Sequence, residues 1–484
     1  MQIRAFRIEN IGRFKRLELS LLKANDAPSQ ALILVGNNGA GKTSILKSLS
    51  ISLGWFIARL RSEKGSGSLI KDDEINNSEN TASIQIEVSD LTTKDVDSHF
   101  SWKLVRTRPG FNSPEVSKLS GLVQLAALYR EALTTEAPYD LPLIAYYPVE
   151  RSVIDAPLKP RRNPTFPQLA GYDGFTENTA NFSKFFEWFR DREDHENELH
   201  AYAKEGNALL EAAHAAKNAV TEDTLLSKSK RTALLEVLNK TISDVNNAVS
   251  VKIPKLLSHA QTLPKDRQLT AVRDAIEQFM PGFKNLRVHR KPRLQMLVDK
   301  KNETLDILQL SQGEKSLLAL VGDIARRLSM LNPTLESPLQ GRGIVLIDEV
   351  DMHLHPKWQR GIVEQLKITF PNCQFILTTH SPLVISDTQD LKIYSLDDGA
   401  VNAVTSQYGQ DANSVLLDVM DTPIRNSKIE SYFNDLYDAI QDLELKKAKG
   451  IIAYLEKNVS PNNTELTKAR LMLRKQELRV EKNQ

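Results

Sequence analysis

At 484 residues the chain has room for roughly two to four domains and a substantial buried core. Its 41% hydrophobic and 26% charged residues are those of a globular protein, and a single cysteine, Cys373, excludes a disulfide framework and suits a reducing cytoplasm. A formal charge of +2 is too small to argue for nucleic acid by itself; with no apolar leader after Met1 and no apolar run long enough to cross a bilayer, a cytoplasmic protein with no membrane partner is expected.

Residues 2–8 and 15–22 alternate like strands, with Glu9-Asn10-Ile11-Gly12-Arg13 as the turn between them. The apolar run Ala31-Leu32-Ile33-Leu34-Val35 then feeds Gly36-Asn37-Asn38-Gly39-Ala40-Gly41-Lys42-Thr43, a complete G-x-x-x-x-G-K-[ST] loop, and helical periodicity runs from Ser44 to Leu60. A strand, a glycine-rich turn and a helix in that order place free N–H groups around an anion. The glycines let the backbone wrap the phosphates, Lys42 reaches the β/γ oxygens, and the Thr43 hydroxyl is a ligand for Mg²⁺. The chain is therefore expected to bind a nucleoside triphosphate, ATP, with Mg²⁺.

Thr81–Val88 and Phe100–Arg106 read as further strands, Leu119–Thr134 as a helix and Leu141–Tyr147 as a buried strand. The basic, proline-rich stretch Ala156 to Pro167 marks a loop or domain edge. From about Phe182 to Met280 the texture becomes helical, with long helices predicted near 183–217 and 226–260 and a shorter one near 266–279. A thirty-residue helix reaches only about 45 Å, so a compact arm is expected, with Phe185, Phe186, Trp188 and Phe189 packed as core at its base. Lys284–Lys301, with seven Lys/Arg against one Asp, reads as a hairpin at a solvated sheet edge.

Three further segments, taken in order after the phosphate loop, fit one chemical plan. Leu310-Ser311-Gln312-Gly313-Glu314-Lys315-Ser316 precedes a helical run. Gly343–Ile347 is an apolar strand ending in Asp348-Glu349, and Gln374–Thr379 is another, ending at His380. Phosphoryl transfer needs its charge neutralised, its metal held and its water activated. Asp348 suits the Mg²⁺, Glu349 the general base and His380 a contact to the γ-phosphate, while the helix start at Ser311 and Gly313 can receive another anion. His353 and His355 face one side of an extended loop, but no carboxylate–cysteine set lies nearby, so a metal site there is disfavoured.

This set resembles the ABC-type ATPase heads of SMC, RecF-like and OLD-family proteins: Leu310–Ser316 is similar to their signature, Asp348-Glu349 to their Walker B, and His380 to their switch histidine. The resemblance implies an α/β P-loop head with an inserted helical arm and a helical C-terminal extension. It implies a head-to-head dimer in which Ser311 of one copy caps the ATP on Lys42 of another, with Asn10 and Arg13 of the first hairpin close to the nucleotide. The nucleotide residues so carried over are Asn10, Arg13, Gly36, Asn37, Asn38, Gly39, Ala40, Gly41, Lys42, Thr43, Ser44, Ser311 and Gly313. The expected domains are 1–180 and 281–405 for the two lobes of the head, 181–280 for the arm and 406–484 for the extension.

Leu141–Pro148, Phe186–Phe189 and Asp348–Pro356 further resemble the PtuA family of Septu-type anti-phage ATPases, also found beside some retrons. That implies a homo-oligomer of head-to-head dimers carrying a partner nuclease of HNH type (PtuB-like). It makes a retron reverse transcriptase with its RNA–DNA, and DNA itself, further candidate partners. Past Pro382 neither the Asp-x-Asp strand ends of OLD nucleases nor an HNH arrangement is seen, so an ATPase without intrinsic nuclease is expected. The alternative is a RecF- or SMC-like DNA-repair ATPase without a nuclease partner. The tail is divided in charge, with eight acids against two bases over Asp411–Glu444 and ten bases against four acids over Lys446–Lys482. Solvated helix faces or a docking surface would both explain that division.

Overall fold

Alternating apolar side chains form the first hairpin, β1 (Gln2–Ile11) and β2 (Phe14–Ser20), burying Ile3, Phe6, Ile8, Leu17 and Leu19 on one side. β1 runs on to Ile11, past the turn expected from Glu9, because Ile11 still pairs with Phe14; Asn10 takes a positive φ of 56° that its short polar side chain tolerates. The computed structural model describes residues 1–484 except 24–25, 91–97, 136, 150–165, 176–182, 224, 253–264, 461 and 483–484; most of the Ala156 to Pro167 stretch lies outside the described residues.

β3 (Ala31–Gly36) is buried throughout and leads into helix α1 (Lys42–Arg61), which begins at Lys42, two residues ahead of the expected start. β4 (Thr81–Asp90) and β5 (Ser98–Thr107) complete an antiparallel sheet in the order β2-β1-β4-β5. Helix α2 (Ser120–Leu133) and β6 (Leu143–Tyr147) follow. α1 is packed against β1 and β4 on one side and β3 on the other, with Ile45, Leu49, Leu53, Phe56 and Leu60 buried. The Trp102 indole of β5 donates to the Ser52 carbonyl of α1 at 3.3 Å.

The arm consists of α3 (Ser183–Glu222) and α4 (Lys228–Lys252). At 40 residues α3 is about 60 Å long, a third longer than a thirty-residue helix. Phe185, Phe186, Trp188 and Phe189 are buried at its root. α5 (Arg267–Phe279) starts at the Asp266 cap and packs on the head. The expected basic hairpin is three-stranded: β7 (Phe283–His289), β8 (Gln295–Lys300) and β9 (Glu303–Asp306) pair in that order. α6 (Gln312–Leu331) then runs through the core, buried from Ser316 to Leu331.

β10 (Gly343–Ile347), short α7 (Pro356–Gln359), α8 (Ile362–Thr369), β11 (Cys373–Thr378), short α9 (Pro382–Ser386), β12 (Leu391–Asp397) and β13 (Ala400–Val404) close the head. The main sheet has the order β13-β12-β3-β11-β10-β6, parallel except for β13. β3, β6, β10 and β11 are wholly buried, as expected of parallel strands covered on both faces. Gln374 ties this sheet to the first: its amide donates to the Ile3 carbonyl at 3.0 Å and accepts the Ile3 N–H at 2.7 Å.

Residues Met1–Tyr408 form one compact unit and Gly409–Gln484 another. The second contains α10 (Ala412–Asp418), and α11 (Ser427–Gln441), α12 (Leu445–Asn458) and α13 (Thr464–Lys482), the last three packed around Phe433, Leu436, Ile440, Leu455 and Leu466. Part of its divided charge is paired internally, Arg470 with Glu456 and Lys449 with Glu477. Among the described residues no helix is long and apolar enough to cross a membrane.

Candidate nucleotide site

Parallel register brings the functional segments to one edge of the sheet. Ile347 of β10 lies beside Leu377 of β11, Thr378 beside Leu34 of β3, and Gly36 beside Leu396 of β12. The phosphate loop therefore leaves the sheet next to the strand that ends at His380, and Asp348-Glu349 leaves one strand further on. Ligand sites of parallel sheets form outside these carboxyl ends.

The loop is a tight turn that its glycines permit. Gly36, Gly39 and Gly41 have φ of 147°, 79° and 99°, which side chains with a Cβ rarely adopt. A Cβ on Gly36 would lie 2.4 Å from the Leu396 carbonyl oxygen, and one on Gly41 2.4 Å from the Phe14 ring. The first hairpin thus packs directly on the loop. Arg13 Nη2 is 3.6 Å from the Cβ position of Gly39, and Ser44 Oγ is 3.7 Å from that of Gly12. Arg13 also pairs with Asp398 at 3.5 Å. Asn10 faces elsewhere, its amide donating to the Thr81 carbonyl at 2.9 Å.

Lys42 is 6% exposed, and its ammonium donates to the Gly36 and Asn37 carbonyls at 2.7 and 3.1 Å. Burial pushes its pKa below the ordinary lysine value, while the charges of Asp348, Glu349 and Asp351 pull it back up. Burial, and next the Lys42 charge, hold the His380 imidazole below the ordinary histidine value, against Glu349, Asp351 and Asp348. These mutual influences place Lys42, Asp348, Glu349, Asp351 and His380 in one electrostatic neighbourhood. Thr43 and Asp348 supply a hydroxyl and a carboxylate, hard oxygen donors that suit Mg²⁺.

The acids are held from the neighbouring strands. Asp348 donates its N–H to the Tyr147 carbonyl at 2.9 Å, and its Oδ1 accepts the Thr378 hydroxyl at 2.5 Å. Glu349 takes a φ of 48°, and its N–H donates to Thr378 Oγ1 at 2.7 Å. Asp351 Oδ1 accepts the Thr379 hydroxyl and the His380 N–H, the latter at 3.4 Å. Thr378, Thr379 and Asp351 escaped the sequence reading, although the Thr-Thr-His run at a strand end was the available signal. Tyr147, in the region Tyr147–Ser152 considered for a Q-loop, sends its hydroxyl to Asp323 at 2.9 Å; residues 150–152 lie outside the described residues.

Ser311 and Gly313 are placed by α6. Ser311 is its exposed cap, accepting the Glu314 N–H, while the Glu314 carboxylate accepts the Ser311 N–H at 3.1 Å and the Lys300 ammonium at 2.8 Å. A Cβ on Gly313 would sit 2.6 Å from the His353 carbonyl oxygen, so the start of α6 packs on the loop that follows β10. In that loop the His355 imidazole caps α7, accepting the Lys357 N–H at 3.2 Å. Among the described residues no group of three or more His, Cys, Asp or Glu gathers around a metal position.

Comparison with known proteins adds to this geometry. The family model described as "AAA domain, putative AbiEii toxin, Type IV TA system" matches residues 32–386. The chain is similar to "Retron Ec83 probable ATPase" of Escherichia coli, 35% identical over 405 residues that cover 82% of this chain and 72% of that one. It is similar to "Septu protein PtuA" of Bacillus mycoides (strain KBAB4) over 74 residues at 47% identity, 15% of this chain and 10% of that one. Among solved structures it is similar to the Smc head domain with a coiled coil and joint derived from Pyrococcus yayanosii, at 16% identity and a TM-score of 0.40, covering 86% of this chain and 99% of that one.

Proposed function

The chain belongs to this AAA-domain family and is an ATPase, and from that premise we propose that it is the ATP-hydrolysing, oligomerising subunit of an anti-phage defence complex. In this reading ATP is held between two heads, and its turnover permits or restrains a partner nuclease of HNH type. The observation that carries the reading is the gathering of Lys42, Asp348, Glu349 and His380 at one edge of the sheet beside a complete phosphate loop. Likeness to a retron-associated ATPase and to a Septu protein supports the defence role.

Each residue then has a task. Lys42, whose ammonium lies within hydrogen-bond distance of the Gly36 and Asn37 carbonyls, would neutralise the β/γ phosphate oxygens. Thr43 and Asp348 are the residues that would hold Mg²⁺, which supplies charge neutralisation on the phosphates when bound. Glu349 polarises the attacking water. His380, neutral near pH 7 because its pKa is lowered, can offer one N–H to the γ-phosphate. Ser311, exposed at the start of α6, meets the nucleotide of a second copy with its hydroxyl and the free N–H groups of the helix.

The test pairs two variants. Lys42→Ala should bind a fluorescent ATP analogue at least about 10-fold more weakly. Glu349→Gln should keep binding, lose turnover by about 100-fold or more, and accumulate an ATP-dependent dimer in sedimentation to which an HNH-type nuclease co-purifies. A Lys42→Ala protein that takes up ATP like the parent, or a Glu349→Gln protein that stays monomeric with ATP, overturns the proposal.

A further inference from the structure

One residue holds three consecutive residues of the turn that follows β10, two of them through its side chain. Thr378 is the last residue of β11 and is 0% exposed. Its hydroxyl donates to Asp348 Oδ1 at 2.5 Å and accepts the Glu349 N–H at 2.7 Å, and its carbonyl accepts the Val350 N–H at 2.9 Å. A hydroxyl is not what β-sheet formation asks for at a fully buried position. Valine has the same shape and fits a strand at least as well. The hydroxyl instead matches its neighbours, one acceptor and one donor from adjacent residues. It also sustains Glu349 in a left-handed conformation that residues with a Cβ rarely adopt.

We propose that Thr378 is a positioning residue for ATP hydrolysis: its hydroxyl sets the Asp348 carboxylate and the Glu349 backbone in one register. Its role is to act through these two residues. The inference rests on the roles given above to Asp348 and Glu349. A single hydroxyl then fixes the metal ligand and the general base together, so neither can drift without the other. The adjacent Thr379 repeats the device one step along, its hydroxyl on Asp351, which in turn accepts the His380 backbone N–H. The γ-phosphate residue and the water-activating residue are thereby anchored by consecutive threonines of one strand end.

Three full-length variants test this. Thr378→Val keeps the shape and removes both hydrogen bonds, Thr378→Ser restores them, and Thr378→Ala serves in place of the valine variant if that one melts early or aggregates. The valine variant should lose about 10- to 100-fold in kcat with KM changed less than about threefold, and the serine variant should recover most of the loss. A second readout needs no turnover. In a Glu349→Gln background, the Mg²⁺ concentration giving half-maximal binding of a fluorescent ATP analogue should rise about 10-fold for the valine variant and not for serine.

A folded hydroxyl-free variant with parental kcat and Mg²⁺ dependence, or a serine variant that rescues neither, overturns the proposal. If Lys42→Ala and Glu349→Gln also left turnover intact, the broader ATPase site assignment would fall. If those two abolish it and the Thr378 variants do not, only the role of Thr378 is lost.

Discussion

Two groups of buried charge in the head are built on opposite rules. Around Asp323 in α6 the acid and bases touch. Its oxygens accept Arg326 Nη2 at 2.7 Å, Arg327 Nε at 2.7 Å and the Tyr147 hydroxyl at 2.9 Å, and Arg327 also donates to the Gly171 carbonyl at 2.8 Å. Burial alone would raise the Asp323 carboxyl, but the charges of Arg327 and Arg326 hold it well below the ordinary carboxylate range. At the nucleotide edge the Lys42 ammonium is held by loop carbonyls and the Asp348 carboxylate accepts a threonine hydroxyl, while their charges act on each other at longer range. Cross-paired charges lock an element in place. In the proposed function, charges held by neutral groups are the ones that meet phosphate, metal and water.

The comparison breaks first at its structural end. Asp323→Ala leaves two guanidinium groups buried without their carboxylate and should cost about 3–5 kcal/mol in denaturant unfolding. A loss below about 1 kcal/mol would mean that the cluster is solvated rather than locked.

The root of the arm should be intermediate. Glu193 accepts the Val288 N–H at 2.9 Å and the guanidinium groups of Arg273 and Arg290 at 2.9 and 3.1 Å, joining α3 to α5 and β7. Glu193→Ala orphans a buried N–H and should destabilise by about 1–3 kcal/mol. Hydrogen exchange at Val288 unchanged from the parent would show that this joint is not made by Glu193.

The smallest effect belongs to the working end. The folded pKa of His380 lies below its unfolded value near 6.5, so the folded state binds fewer protons there. Stability tied to the neutral ring is complete above that unfolded value and is lost as the pH falls through the folded one. Melting temperature should therefore drop less in His380→Gln than in the parent between about pH 7.5 and pH 5.5. Identical drops would show that burial and the Lys42 charge do not lower the His380 pKa in the folded state.

Much of the head was legible because its signals are local. A wholly apolar strand, a glycine loop and a helix start are each written within a few consecutive residues, as in Ala31–Thr43, and Phe185, Trp188 and Phe189 keep the spacing of one buried helix face. Relations across distance were not legible. Thr378 meets Asp348 and Glu349 from a strand some thirty residues further along the chain. Phe14 lies on Gly41 because a separate sheet folds over the loop. The three-stranded β7-β8-β9 sheet was read as a hairpin because β9, only four residues long, has too short an alternation to register.

What the sequence determined by itself was the inventory of chemistry: a phosphate loop, two acids closing one strand and a histidine closing another, each fixed by short-range backbone geometry. The tertiary structure decided which of these meet, through a strand order that seats β3 beside β11 and β11 beside β10. It also decided which polar groups hold them, since hydrogen bonds between strands depend on register, and register is set by how whole buried faces pack.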